Sequence, residues 1–446
     1  MRRVPVLAVA LVCVGGVPAV AAASWPVQGI PGSERGLEHR ALTFGFAKDG
    51  SGVVGWWDTG SLSSPAMIWA APVRPDAPGA AVAIGQPAPL GEPQVLPLVG
   101  GRIAVFGFPE AAVATGRLGG PLDVVLRWPA GTEFVPASAV SPRGDLAVLG
   151  PVRRSLSAAG RLVLSIRRPG HAIRKVTVSR RTTTRGYAVA VNGVGDALVA
   201  YDVRSRPPRG QRGVRHTVFA RLVRAGRRAG PAYRLGRSRG FVTIDVALDD
   251  ARRAVVGWFG RGCSEGGHCD EGIASAATAG PGGRFGRAVR LGRTPPASSV
   301  SNDRGAGPVL VALGARGRGT VAWNAAVGGQ LMTVFAADVS RGRIRARQRL
   351  SDPTMNGWLA DLASTSDDSA AVVWIAAHPG TPGSLSAAVR SGGGPFGASE
   401  TVTDEPVSDI PIRVAFDPVS ARPSVVYLPQ PGPNPFGLAL ATRSTP

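Results

Sequence analysis

The sequence is poor in lysine, cysteine and aromatic residues, and it lacks helical periodicity and, after the N-terminal segment, long apolar runs. Lysine occurs only as Lys48 and Lys175, cysteine occurs three times, and aromatic residues make up 6% of the chain. No window of about eleven residues or more has convincing helical periodicity, which argues against an all-α or α/β fold. After the N-terminal segment no apolar run reaches about 20 residues, so we expect no transmembrane helix in the mature chain.

The first 23 residues have the features of a secretory signal peptide. Arg2 and Arg3 form a positive end, residues 4 to about 20 form an apolar run, and Ala21–Ala23 provide small residues for a cleavage site. The alternative is a membrane anchor, but the run is shorter than the roughly 20 residues that span a bilayer. We therefore predict cleavage near Ala23, a secreted or extracytoplasmic location, and a single mature domain, residues 24–446.

The charge of the chain is strongly positive and comes almost entirely from arginine. The formal net charge is +22 at pH 7. The preference for arginine over lysine is typical of a GC-rich genome, and most of the arginines fall within residues 151–350. A basic surface attracts polyanions such as nucleic acid, teichoic-type polymers or anionic lipid, although the simpler interpretation is a solvated surface.

Five arginines alternate with other residues along one predicted strand, so they share one face of it. They are Arg341, Arg343, Arg345, Arg347 and Arg349. Such a stripe is either an outer edge strand protected by charge or a surface that binds a polyanion. Aromatic residues for base stacking are absent from the stripe, which argues against nucleic acid as the partner.

Two cysteines remain after removal of the signal peptide, Cys263 and Cys269, in a polar segment. In an exported protein such a pair is typical of a disulfide that closes a small loop. The alternative is a metal site that also uses His268, but zinc sites usually have closer cysteine pairs and four ligands. We predict the disulfide and expect no metal or other cofactor.

A short apolar run, usually ending in an aromatic residue, recurs along the chain. Its clearest copy is Arg252–Trp258, and consecutive copies are separated by roughly 44 to 65 residues, most often near 51. The other copies are Gly52–Trp56, Arg102–Phe106, Leu146–Gly150, Ala197–Tyr201, Thr320–Trp323, Ala370–Trp374 and Ser424–Tyr427. Repetition at this spacing indicates a propeller or a solenoid.

Each copy belongs to a predicted unit of four short strands in meander order. In the first unit the Asp-Gly turn within Lys48–Ser51 separates two apolar runs, which is a strong β-hairpin signal. Consecutive valines without strict alternation indicate strands covered on both faces. The last unit contains only three predicted strands. We expect Val27–Ile30 to supply its fourth strand beside Gly437–Thr442 and so to close the ring.

The predicted fold is therefore an all-β propeller of four-stranded antiparallel blades, with eight blades favoured. Seven blades would result if the weak unit at residues 93–136 were an insertion. In these features the chain resembles the secreted β-propellers with four-stranded blades, in the broad WD40-like, TolB-like and sialidase-like sense. The match is architectural, because the Trp-Asp dipeptide occurs only at Trp57-Asp58 and Ser301–Gly305 matches only part of a sialidase-type box.

This resemblance leaves two classes of function open, because one fold serves many functions. No His-Glu-x-x-His motif is present, and the five histidines are scattered. We therefore favour a non-catalytic binding or scaffold module at the cell envelope, with an anionic polymer, a glycan or another envelope protein as its partner. A glycan-active hydrolase or lyase with a site at the channel mouth is the alternative. Carboxylates clustered at that mouth would favour the enzyme, and an exposed basic or aromatic patch would favour binding.

Two aspartates are predicted to occupy the same inner-strand position in different blades. Asp245 and Asp361 stand 13 residues before the aromatic residues Trp258 and Trp374. In a four-stranded blade the first strand begins on the face of the ring where the second strand ends. Both aspartates are therefore expected to face the same side as residues at second-strand ends.

Further polar residues are predicted on that face. They are Asp58, Asp202 and Asn324, which directly follow aromatic residues, and Arg204 and Arg206 of an Arg-rich loop. With Asp245 and Asp361 they form the candidate ligand-binding face, because variable loops on a rigid scaffold often carry binding sites. The simpler alternative is that these carboxylates line a wet channel and neutralise nearby arginines.

Overall fold

The computed structural model shows β-strands and turns throughout the described parts of the chain. These parts are residues 23–34, 39–58, 65–74, 77–87, 93–108, 112–127, 137–152, 160–180, 186–205, 215–262, 270–296, 309–327, 331–408, 412–430 and 437–444. Within these ranges the fold is all-β. They contain no helix that is long and apolar enough to span a membrane.

The first half of the chain forms four sheets. Blade 1 contains β2 (His39–Phe46), β3 (Gly52–Asp58), β4 (Met67–Arg74), β5 (Ala77–Pro78) and β6 (Val82–Gly85). Blade 2 contains β7 (Gln94–Leu98), β8 (Arg102–Phe108), β9 (Ala112–Arg117) and β10 (Leu122–Leu126). Blade 3 contains β11 (Ala137–Val140), β12 (Leu146–Val152), β13 (Arg161–Arg167) and β14 (Arg174–Ser179). Blade 4 contains β15 (Tyr187–Val191), β16 (Ala197–Ser205), β17 (Arg215–Val223) and β18 (Tyr233–Arg239).

The second half forms four more sheets. Blade 5 contains β19 (Phe241–Leu248), β20 (Ala254–Arg261), β21 (Gly272–Ala279) and β22 (Val289–Thr294). Blade 6 contains β23 (Leu310–Leu313), β24 (Gly319–Val327), β25 (Leu331–Ser340) and β26 (Arg343–Arg349). Blade 7 contains β27 (Asn356–Ser364), β28 (Ala370–Ala377), β29 (Ser384–Arg390) and β30 (Glu400–Thr403). Blade 8 contains β31 (Arg413–Phe416), β32 (Pro423–Tyr427), β33 (Ala439–Thr442) and β1 (Val27–Gly29).

Neighbouring strands pair antiparallel within each blade, and in blade 1 both β5 and β6 pair with β4. The innermost strands are β2, β7, β11, β15, β19, β23, β27 and β31. In blade 5 the pairing runs from Phe241 opposite Arg261 to Leu248 opposite Ala254. Inner strands of successive blades contact one another, for example β15 with β19 and β19 with β23. The chain is therefore an eight-bladed β-propeller. Residues 94–126 form the complete blade 2, so the seven-bladed alternative is wrong.

The N-terminal strand closes the ring, as predicted. β1 is the outermost strand of blade 8 and pairs antiparallel with β33, with Val27 opposite Ala441. The N–H of Ile30 donates to the carbonyl of Leu438 at 2.8 Å. The side chains of Ile30 and Trp25 are buried, with 2% and 6% of their surface exposed. The N-terminal strand and β33 thus share one sheet, and Trp25 and Ile30 are buried at the seams on either side of blade 8.

The hydrophobic core is divided among the seams between neighbouring blades. Six of the recurrent aromatic residues lie at the seam with the preceding blade: Trp56, Tyr201, Trp258, Trp323, Trp374 and Tyr427. Phe106 instead lies at the seam between blades 2 and 3, and so faces the following blade. A single blade cannot bury both of its faces alone, so these rings join each blade to its neighbour.

The turn between the first two strands of a blade contains a residue in the left-handed conformation. Glycine occupies this place in several blades, as at Gly144, where φ is 83°. Arg252, Asp368 and Ala421 adopt the same conformation with φ of 64°, 72° and 55°. A side chain there costs free energy, because its Cβ approaches the following carbonyl oxygen.

Candidate functional site

Asp245 and Asp361 lie at equivalent positions on the channel wall. Asp245 of β19 is opposite Gly257, and Asp361 of β27 is opposite Val373. In both blades the opposite residue directly precedes the recurrent tryptophan. Asp245 is the fifth residue of β19, about 13 Å along the strand from its first residue. The two carboxylates therefore line the middle of the channel.

Each of these carboxylates connects its blade to the next one. The Oδ2 of Asp245 accepts the N–H of Val311 at 2.8 Å, and the Oδ2 of Asp361 accepts the N–H of Val414 at 2.9 Å. The donors belong to the inner segments of blades 6 and 8. Both carboxylates thus satisfy backbone N–H groups that would otherwise lack a partner inside the ring.

Thr43 makes the same connection between blades 1 and 2. Its hydroxyl donates to the carbonyl of Val95 at 2.9 Å and accepts the N–H of Val95 at 3.2 Å. Thr43 is opposite Gly55, which precedes Trp56. It also stands 13 residues before that tryptophan, the spacing shared by the two aspartates. The spacing would have identified Thr43, but sequence reasoning considered only carboxylates and amides.

Arg413 completes a polar level of the channel. It is opposite Val426, which precedes Tyr427, and therefore has the same position in blade 8. Its spacing to the aromatic residue is 14 residues instead of 13, so equal spacing along the sequence does not identify it. The structure thus places two carboxylates, one guanidinium and one hydroxyl at one level, on four different blades.

Burial changes the acidity of both aspartates. Loss of hydration raises the pKa of Asp245 to about 6, and the negative charge of Asp361 acts in the same direction. Two backbone N–H groups and the positive charge of Arg413 oppose this increase. Burial also raises the pKa of Asp361, against the charge of Arg413. The three ionisable groups are therefore electrostatically coupled across the channel.

The three predicted residues that directly follow aromatic residues are all hydrogen-bonded, either within their own blade or to the next blade. Asp58 accepts the N–H of Met67 at 3.1 Å and the indole N–H of Trp69 at 2.9 Å, both on the next strand of its own blade. Asn324 is 2% exposed, donates to the carbonyl of Gly357 at 2.6 Å and accepts the N–H of Leu359 at 2.9 Å. Asn324 thus joins blade 6 to blade 7.

Asp202 is fully buried, and its Oδ2 is hydrogen-bonded to the Nδ1 of His216 on the neighbouring strand. Arg204 is exposed two residues further along β16. The predicted residues therefore differ in their surroundings: Asp202 and Asn324 are buried, Asp58 is half-buried beside its own blade's next strand, and Asp245 and Asp361 are half-buried on the channel wall. Arg206, Cys263 and Cys269 lie outside the described residues, so the disulfide stays a prediction.

The arginine-rich segment forms β26, the outermost strand of blade 6. The guanidinium of Arg347 lies 3.7 Å from the centre of the Phe335 ring and 5.5 Å from that of Trp323. Burial lowers the pKa of Arg347. Arg343 and Arg345 are exposed. The segment is therefore an edge strand whose arginines have different surroundings.

The described ranges contain neither a cluster of metal ligands nor a nucleophile elbow. No group of three His, Cys, Asp or Glu side chains there is arranged to hold a metal ion. Gly236–Gly240 has the sequence Gly-x-Ser-x-Gly, but it spans the end of the outer strand β18. A nucleophile elbow requires a sharp turn between a strand and a helix.

Comparison with known proteins assigns the chain to no family. No family model and no curated protein matches the chain. A puromycin hydrolase mutant has a similar structure, with a TM-score of 0.47 and 14% identity over 91% of this chain and 61% of that one. A puromycin-hydrolyzing peptidase from Mycobacterium tuberculosis has a TM-score of 0.43 and 16% identity over 91% and 60%. This chain thus spans about three fifths of the length of these two proteins.

Other similar structures include an ulvan lyase, a polysaccharide lyase, with a TM-score of 0.41 and 10% identity over 95% of this chain and 96% of that one. The β-propeller domain of the Trilobed protease from Pyrococcus furiosus has a TM-score of 0.43 and 12% identity over 83% and 97%. These similarities concern the fold and carry no information on the activity of this chain.

Proposed function

We propose that the protein is an exported, non-catalytic β-propeller that binds its partner at the cell envelope. The observation that supports this most is the engagement of the channel carboxylates. Asp245 and Asp361 each accept an N–H from the next blade, at 2.8 and 2.9 Å. Because these carboxylates hold neighbouring blades together, they favour a rigid scaffold. A rigid scaffold can present a binding surface that does not rearrange when the partner binds. The N-terminal signal-like segment supports export.

One observation favours a glycan-active hydrolase or lyase as a second candidate. A carboxyl group with a pKa of about 6, such as Asp245, can donate or accept a proton near neutral pH. A second carboxylate, Asp361, is electrostatically coupled to it. Pairs of carboxyl groups in unequal environments are typical of glycoside hydrolysis.

A combined binding and turnover assay tests the proposal. The mature protein, residues 24–446, is incubated with a panel of glycans and envelope polymers, and both retention of the polymer and release of shorter products are measured. We expect retention without product release, and the same retention for Asp245→Asn. Release of products that is lost in Asp245→Asn would refute the non-catalytic assignment. Failure to retain any of the polymers would also count against the proposal.

A further inference from the structure

A large basic cleft lies on the outer part of the ring, between blades 3 and 4. One wall is the outer strand β14, and the other is formed by the end of β17 and the turn after it. The volume of the cleft is about 720 Å³. Its cationic lining residues are Arg174, Lys175, Arg180, Arg221, Arg227 and Arg228.

The strand pattern explains why arginines face the cleft. In β14 Arg174 shares a face with Val176 and Val178, which are buried at the seam with blade 4, while Lys175 and Thr177 lie on the opposite face. On the other wall Arg221 is half-buried, and its Nε is buried without a hydrogen-bond partner in the described parts of the chain. Arg221 therefore retains hydrogen-bonding capacity that the protein itself does not use.

Among the described residues that line the cleft there is no carboxylate. The nearby turn is held by Asp196, whose Oδ1 accepts the N–H of Ala225 at 2.6 Å. The other oxygen of Asp196 pairs with the Nε of Arg252 at 2.6 Å, and the side chain of Asp196 is only 1% exposed. This carboxylate is thus already engaged. The arginine side chains of the cleft are left to repel one another, and an anion in the cleft would relieve that repulsion.

We propose that this cleft binds a linear polyanion with closely spaced phosphate or sulfate groups on a non-aromatic chain. The inference rests on the proposed binding function and assigns it a site and a ligand class. Guanidinium groups match the geometry of such anions. The five arginines that line the cleft exceed what one inorganic phosphate can neutralise, and the volume suits a segment of a polymer. The lining residues that the structure describes include no aromatic side chain, which disfavours single-stranded nucleic acid.

Two double variants with equal loss of charge test the site. Arg227→Ala with Arg228→Ala removes two exposed charges from the cleft, and Arg343→Ala with Arg345→Ala removes two exposed charges from β26. Affinity for poly(glycerol phosphate) and for heparin is measured for the mature protein at several salt concentrations. We expect the cleft variant to bind about tenfold or more weakly, because charge-assisted hydrogen bonds are lost. Its affinity should also depend less steeply on salt, whereas the β26 variant should change less than about twofold.

A second pair of variants examines the buried arginine. Arg221→Lys keeps the positive charge and should retain most of the affinity for the polyanion. Arg221→Gln removes the charge and should lose most of that affinity. The polymer that binds more tightly identifies phosphate or sulfate as the recognised group. Equal losses in the two double variants, or no binding of either polymer, would overturn the inference. Preferred binding of a single-stranded oligonucleotide would also overturn it.

Different results would refute the cleft as the binding site and the proposed non-catalytic function. Unchanged polyanion affinity in the cleft variant would refute the site and leave a binding protein. Turnover of a polymer that depends on Asp245 would refute the non-catalytic function, whatever the result for the cleft.

Discussion

Removal of the carboxylate charge from Asp245 should change how the stability of the ring depends on pH. An aspartate in an unfolded chain has a pKa of about 3.9, whereas burial raises the pKa of Asp245 to about 6. Between these values the folded protein binds more protons than the unfolded chain, so the free energy of unfolding falls as pH rises. A pKa difference of one unit corresponds to about 1.36 kcal/mol. Ionisation of Asp245 therefore makes the free energy of unfolding roughly 3 kcal/mol lower above pH 6 than at low pH.

The variant Asp245→Asn removes this titration while keeping the shape of the side chain. Its stability relative to the wild type contains a constant part, from altered hydrogen bonds to Val246 and Val311, and a part that depends on pH. We expect the variant to gain roughly 2 kcal/mol relative to the wild type between pH 4 and pH 7. For about 420 residues this corresponds to a change of roughly 2 °C in the difference of melting temperatures.

Urea denaturation followed by tryptophan fluorescence at pH 4, 5, 6 and 7 provides the measurement. Asp49→Asn is a suitable control, because Asp49 is exposed and the hydroxyl of Ser51 and the N–H of Gly100 lower its pKa. The stabilisation from Asp49 is lost as pH falls, so its removal has the opposite pH dependence. A difference between the wild type and Asp245→Asn that does not vary with pH would refute the reasoning.

Other predictions concern ring closure, backbone strain and processing. Deletion of residues 24–33 removes a buried tryptophan and a buried isoleucine, so we expect a loss of at least about 5 kcal/mol and a melting temperature lower by about 5 °C or more; an unchanged melting curve would contradict closure by this strand. Ala421→Gly should stabilise the protein by about 1 kcal/mol and Gly144→Ala should destabilise it by a similar amount, since both residues have positive φ; equal signs in urea denaturation would contradict this. Mass spectrometry of the secreted protein should find cleavage near residue 23 and a disulfide between Cys263 and Cys269, and two free thiols would exclude the bridge.

The number of blades could be predicted from the sequence because each blade has the same physical requirement. Its second strand is covered on both faces, so a run such as Ala254–Trp258 recurs wherever a blade recurs. Ring closure could also be predicted, since three strands at the C-terminal end leave an unpaired edge that Val27–Gly29 can cover. These are local requirements of composition and spacing.

Which neighbouring blade a side chain packs against depends on strand register, and this could not be predicted from the repeat alone. Phe106 ends a repeat as Trp258 does, yet it packs against the following blade and Trp258 against the preceding one. Neighbouring residues of a strand point to opposite sides, so an offset of one residue reverses the facing. A repeat whose aromatic residue is displaced by one position therefore looks similar in sequence but packs differently.

The sequence by itself determined the eight blades, their strands and the shared level of Asp245 and Asp361. Only the tertiary structure decided what these residues contact, because their partners are 66 and 53 residues away on the next blade. The basic cleft likewise combines residues 174–180 with residues 221–229, and these segments meet through the packing of two blades. Spacing along a chain fixes the position of a residue within its own strand, whereas the stagger between neighbouring sheets fixes which groups of different blades come within hydrogen-bonding distance.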